Sequence, residues 1–250
     1  MRFQNKNIIY NYDGGFDGFL CCAFESFTRR EIPADIVSQK AAQPLLLEQY
    51  FIETDAQKAE RVKKFVKVKI GRDALEFLEE LMFARFPQKE IYMLQFLRLG
   101  YKNGAKTLNM LAEDAVDKLI KAAKFLRNES HLFKGFIRFS VHGDILFAKI
   151  KPKNFVLPFI APHFAQRFQN EKFLIYDETN KALCAYSNKK YAISEVLDID
   201  IPKPEEEEIA YQKLWKMFYE NAAVDGRINP KCRMTNMPKR YWGNLTEFYP

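Results

Sequence analysis

HLFKGFIRFSVHGDILFAKIKPKNFVLPFIAPHFAQR, residues 131–167, is the stretch whose reading decides the fold. Residues 133–141 and 145–150 alternate apolar and polar side chains, the period of half-buried strands. They flank His142-Gly143-Asp144, a hairpin turn signal. Pro158 is a tolerated first residue of a helix, and 159–169 reads as a short one. Residues 173–177 and 183–187 form a second hairpin around Glu178-Thr179-Asn180-Lys181, and 191–196 adds a further strand. The order β-β-α-β-β predicts an α+β fold, with an antiparallel sheet over 131–197 and a helix laid on one side.

Upstream, 7–12 reads as a strand closed by the turn Asp13-Gly14-Gly15. A helix follows over 16–30, with Phe16, Phe19, Leu20, Ala23 and Phe27 at helical spacing. Two glycines ahead of a helix raise the idea of a phosphate cradle. The pattern is neither GxGxxG nor GxxxxGK[ST], so a structural turn is the better reading. Residues 44–52 suggest a second strand, and Thr54 with Gln57 a capping box. Residues 55–128 then read as a helical insert of about four helices, the last over 112–128. Between Lys58 and Arg72 there are seven cations and one acid, Glu60, which fits a solvated face better than a phosphate-contacting edge.

Downstream, 198–204 is a linker. Glu205–Glu208 open a C-terminal helix, where acids stabilise exposed N–H groups. Tyr211, Leu214, Trp215, Phe218 and Tyr219 form its expected buried face. Over 226–243 the chain carries Arg227, Lys231, Arg233, Lys239 and Arg240 and no acid, followed at once by Tyr241 and Trp242. Residues 1–250 are read as one compact α+β unit, with 205–250 as the C-terminal helix and basic tail.

The 250 residues carry a net charge of +7 and are 48% hydrophobic, with 23 phenylalanines. A packed interior is expected, and the charge favours polyanionic partners. Cys21, Cys22, Cys184 and Cys232 have no CxxC spacing, so no zinc ribbon or iron–sulfur cluster is encoded locally. No cofactor is expected. No run approaches the ~18–20 apolar residues of a membrane span, and the start lacks a signal peptide. A cytoplasmic protein follows.

His131 and His163 lie among basic residues, and with Asp177 they are the candidate catalytic groups. His142 falls in a turn and is weaker. Asp13 and Asp17 are more cheaply explained by turn and helix capping. The stronger signal is cations interleaved with aromatics. Lys134 and Arg138 alternate with Phe136 and Phe139 on the expected strand, so the cations should share one face. Lys134, Arg138 and Arg167, with Arg227, Arg233, Lys239 and Arg240, are candidate phosphate contacts. Tyr241 and Trp242 are candidate stacking platforms for unpaired bases, unless they pin the C-terminus to the core.

Four patches together resemble a bacterial family of DNA metabolism proteins. They are Tyr12-Asp13-Gly14 with Phe16 and its helix; HLFKGFIRF at 131–139; LPFIAPHFAQRF at 157–168 with Ile175-Tyr176-Asp177; and Arg227 through Asn229-Pro230 to Met237-Pro238-Lys239-Arg240-Tyr241-Trp242. Members of that family are encoded beside a DNA modification or repair radical-SAM protein. Some are fused to a uracil-DNA-glycosylase-like domain. The resemblance implies a repair or modification context and a radical-SAM partner, and it supplies no catalytic residues. This chain has neither the partner's cluster cysteines nor a glycosylase-sized extra domain, so it looks like the stand-alone form.

Three functions are consistent with these features. The first is a DNA-binding accessory protein acting with the radical-SAM partner. The second is a nuclease or lyase using His131 or His163 with Asp177. The third is an adaptor that binds only the partner enzyme.

Overall fold

The structure, a computed structural model, describes residues 3–39, 47–196, 199, 205–222 and 229–248. Chain contacts divide it into two units, Met1–Leu126 and Arg127–Pro250.

The first unit opens with β1 (Gln4–Tyr12), α1 (Phe16–Arg29) and β2 (Glu31–Ser38), followed by β3 (Glu48–Phe51). The three strands make a parallel sheet in the order β2-β1-β3. β1 is its central strand, and Tyr10, Tyr12, Phe19 and Leu20 on β1 and α1 are fully buried. β2 has no counterpart in the sequence reading. Its Pro33 argues against a ladder, but β2 is an edge strand, and the register with β1 shifts between Lys6 and Ile9 beside Pro33. Edges and bulges are where a strand proline is tolerated. The second expected strand is found only at Glu48–Phe51; 44–46 lie outside the described residues.

Helices follow: α2 (Ala56–Phe65), a π-helical turn (Val66–Ile70), α3 (Arg72–Leu81) and α4 (Lys89–Asn103). The N-cap of α2 is Asp55, whose carboxylate accepts from Gln57 and Lys58 N–H. The expected Thr54 capping box is therefore displaced by one residue, and Thr54 bonds Asp13 instead. The π turn packs on α4 at Gly100, where a Cβ would lie 2.1 Å from Ile70 Cδ1.

Helix α5 (Asp114–Phe136) corrects the sequence reading most. Residues 133–136 continue this helix, and the strand β4 is only Ser140–His142. The alternation of 133–139 is incidental to a helical stripe. Val116, Leu119, Ala123, Leu126, Glu129 and Phe133 are buried at 3–4-residue spacing, and Ile137 N–H still bonds Phe133 C=O.

In the second unit β4, β5 (Ile145–Ile150), β6 (Lys172–Asp177), β7 (Ala182–Ser187) and β8 (Lys190–Glu195) form one sheet in sequence order. The expected all-antiparallel sheet is corrected at its centre, because β5 and β6 are parallel. The cause is α6 (Leu157–Arg167), which lies between them in the chain. A strand–helix–strand crossover returns the chain in the same direction. The flanking pairs are antiparallel hairpins. Ile150, Leu157, Ile160, Phe173 and Ile175 fill the core of the unit.

The chain ends in α7 (Glu206–Asn221), α8 (Pro230–Asn236) and two 3-10 turns, Lys239–Asn244 and Thr246–Phe248. The expected buried face of α7 is largely uncovered: Tyr211, Leu214, Trp215 and Phe218 are exposed, while Tyr219 is half-buried against Phe248 at 5.5 Å. The fold is α+β, and no helix of the described residues is long and apolar enough to cross a membrane.

Candidate nucleic-acid interface

Glu129 organises the second unit's polar interior. It lies on the buried stripe of α5, between Leu126 and Phe133, and its side chain is 0% exposed. Four donors reach it: Lys153 N–H at 2.9 Å, Asn154 N–H at 2.8 Å, Asn154 Nδ2 at 2.7 Å and an Arg240 guanidinium nitrogen at 2.6 Å. A buried carboxylate is tolerable only when so satisfied. These bonds fix the loop between β5 and α6 against α5, and so set where α6 presents its side chains. The sequence signal was available but missed: a glutamate on an otherwise apolar helical stripe.

Asp177 is fully buried at the end of β6. Its oxygens accept from Asn180 N–H at 2.9 Å and Asn180 Nδ2 at 2.6 Å, and Asn180 Nδ2 also reaches Asn154 C=O at 3.2 Å. Asp177 thus closes the β6–β7 turn and ties it to the loop that Glu129 holds.

Three expected site residues are brought together. Lys134 lies in the last turn of α5, and His163 and Arg167 lie one turn apart on α6. Partial burial, then the charges of Lys134 and Arg167, push the His163 imidazole below its ordinary pKa. Both cations disfavour a proton on the ring. Neither Lys134 nor Arg167 has a carboxylate partner among the described residues. Both cations also complement the negative ends of their helices. His131 is exposed one turn before Lys134 on α5.

The other expected contacts are mostly committed to structure. Arg138 donates to Glu247, itself buried, at 2.8 Å and to Gly135 C=O at 3.1 Å. Arg240 pairs with Glu129 and donates to the Tyr241 hydroxyl. Tyr241 is 3% exposed, wedged against Phe133 and Phe136 at ring distances of 5.0 and 5.2 Å. The expectation that Tyr241 stacks on bases is corrected: its ring is part of the core. Trp242 stacks on Phe248 at 4.4 Å and donates to Met237 C=O at 2.9 Å. Arg233 and Lys239 lie over its ring, at 5.2 and 5.9 Å. That group is half-exposed and cationic, with one aromatic face already occupied. Arg227 lies outside the described residues.

In the first unit, the glycine turn is settled by Asp13. Its carboxylate accepts from Gly15 N–H at 2.8 Å and Thr54 O–H at 2.7 Å, filling the helix start where a phosphate would sit. Among the described residues no group of three or more His, Cys, Asp or Glu is placed to hold a metal.

A solved structure titled as a pGpG-specific phosphodiesterase, PggH from Vibrio cholerae, matches with 13% identity. The match covers 79% of this chain and 83% of that one, with a TM-score of 0.35. No curated protein matches. The model of a domain of unknown function, DUF4130, matches residues 87–247, which include α4, α5, the five-stranded sheet and the C-terminal pins. The chain belongs to the DUF4130 family.

Proposed function

We propose that this protein binds DNA through the face carrying Lys134, His163 and Arg167, as an accessory to a repair or base-modification enzyme of the radical-SAM class. The observation that carries the reading is the convergence on one imidazole of two cations that have no acid partner among the described residues. Such a face suits the sugar-phosphate backbone, which contributes sequence-independent affinity. The repair context and the partner rest on the resemblance of four sequence patches.

The test is a binding series with single-stranded, duplex and uracil-containing DNA at two salt concentrations, with and without the partner enzyme. Substituting Lys134→Gln and Arg167→Gln together lowers affinity and makes the log–log salt dependence shallower by about 2. An unchanged salt slope in the double variant would sink the reading.

A second reading is phosphodiester cleavage with His163 as general base. It is favoured by the lowered imidazole pKa, which keeps the ring unprotonated near neutrality. It predicts that His163→Gln removes turnover and leaves DNA binding in place. Turnover that survives the substitution removes this reading.

A further inference from the structure

The first unit holds an open cavity of about 290 Å³ between α1, α2 and α4. Phe24, Phe27, Phe65 and Tyr101 wall it, and Arg61 and Thr28 reach it with polar groups. Phe27 and Phe65 lie 5.8 and 6.0 Å from Tyr101, so the rings form a continuous aromatic wall. The volume is near the lower end of the roughly 300–1,000 Å³ typical of small-molecule sites, which are likewise mostly apolar with few polar groups.

Charge decides what would enter. Arg61 sits over Phe24 at 5.2 Å and has no carboxylate partner among the described residues. Lys64, one turn further along α2, is exposed and equally unpaired. By contrast Lys58 is bound to Glu25 at 2.8 Å and Lys63 to Asp17 at 2.5 Å. Among the described residues the cations of α2 without a carboxylate partner are therefore Arg61, which lines the cavity, and Lys64, its i+3 neighbour just beyond the lining. An uncharged aromatic would use the rings and leave Arg61 idle. A simple anion would use Arg61 and leave the rings in water.

We infer that this cavity binds a nucleoside 5′-phosphate unit, with the base against Phe27, Phe65 and Tyr101 and the phosphate on Arg61 and Lys64. Stacking on aromatic faces and a charge-assisted bond to phosphate are the two interactions the site offers. The unit can come from a free nucleotide or from the end of a single strand. This site is argued independently of the Lys134–His163–Arg167 face.

The experiment uses the full chain and 2-aminopurine, whose fluorescence is quenched by stacking. Three probes are titrated: 2-aminopurine deoxyriboside 5′-monophosphate, the same nucleoside without phosphate, and a single strand with a phosphorylated 5′-terminal 2-aminopurine. The monophosphate gives saturable quenching, and the nucleoside binds about tenfold more weakly. Arg61→Gln and Tyr101→Ala, both at exposed positions, each weaken binding about tenfold or more, with circular dichroism confirming the fold. Lys134→Gln with Arg167→Gln leaves monophosphate binding unchanged, which separates this site from the DNA-binding face. Tighter binding of the strand than of the monophosphate, lost in the cavity variants, identifies a strand end as the source; the reverse order identifies a free nucleotide. Absence of saturable quenching with both phosphorylated probes overturns the inference. So does wild-type affinity in either cavity variant, or a nucleoside bound as tightly as its phosphate.

Discussion

At the scale of single residues, Glu129 and Arg240 show how a charged tail residue can be structural. Removing one partner of a buried ion pair strands the other and costs about 3–5 kcal/mol. Arg240 is one-third exposed, so its loss belongs at the lower end. Arg240→Met should cost about 3 kcal/mol in urea unfolding and leave the salt dependence of DNA binding unchanged. A shallower salt slope with intact stability would instead make Arg240 a phosphate contact. Glu247 gives the second residue-level prediction. Burial alone would raise its pKa, but Arg138, its own backbone N–H and the Trp215 indole outweigh burial and hold it below the ordinary carboxylate value. A folded pKa below the unfolded one contributes stability that is complete above the unfolded value and is lost as pH falls through the folded one. Unfolding measured down the acid limb should show that loss in the wild type. Glu247→Gln should be less stable at neutral pH and shallower on the acid side.

At the scale of elements, the π turn at Val66–Ile70 depends on a missing side chain. Gly100 leaves room for Ile70, which is 2% exposed, and an alanine there would overlap Ile70 Cδ1. Overpacking of this kind costs about 1–3 kcal/mol. Gly100→Ala should lose that much in thermal or urea unfolding, and Ile70→Val, by deleting Cδ1, should recover part of it. Equal losses with and without Ile70→Val would mean that the glycine is needed for its backbone alone. Elements were legible where one signal dominated: α1, α3 and α4 follow their apolar stripes, and β6 and β7 are short apolar runs on either side of a turn. They were misread where two periods fit the same letters. In 133–139 the alternation of a strand coincides with an i, i+4 stripe, and the length of α5 already formed decides for the helix. In α7 the apolar residues predicted burial, whereas Tyr211 and Phe218 are 61% and 63% exposed. Periodicity reports that a helix has an apolar face and says nothing of whether this chain covers it.

At the scale of the molecule, the charge of +7 predicts a large sequence-independent component of polyanion binding. Single strands and duplexes of unrelated sequence should bind alike at about 50 mM salt, and any preference for a lesion or strand state should emerge near ~150–200 mM. Identical relative affinities at both salts would show that charge is not the common term. The α+β class was legible from the mixture of periods. The parallel β5–β6 pair was not, since strand direction is set by the α6 crossover and no local pattern encodes it. The candidate site was legible in part. Lys134, His163 and Arg167 do converge, whereas Arg138 and Arg240 are tied inward by Glu247 and Glu129, and Tyr241 packs on Phe133 and Phe136, all partners more than a hundred residues away in the chain.

Both tryptophans of the chain, Trp215 and Trp242, belong to the second unit, one bonded to Glu247 and the other stacked on Phe248. Intrinsic indole emission is therefore a built-in reporter of that unit, while the first is optically silent at that wavelength. Comparing its denaturation midpoint with the far-ultraviolet signal of the whole chain would reveal whether the two units melt as one cooperative body or in succession, with no label introduced.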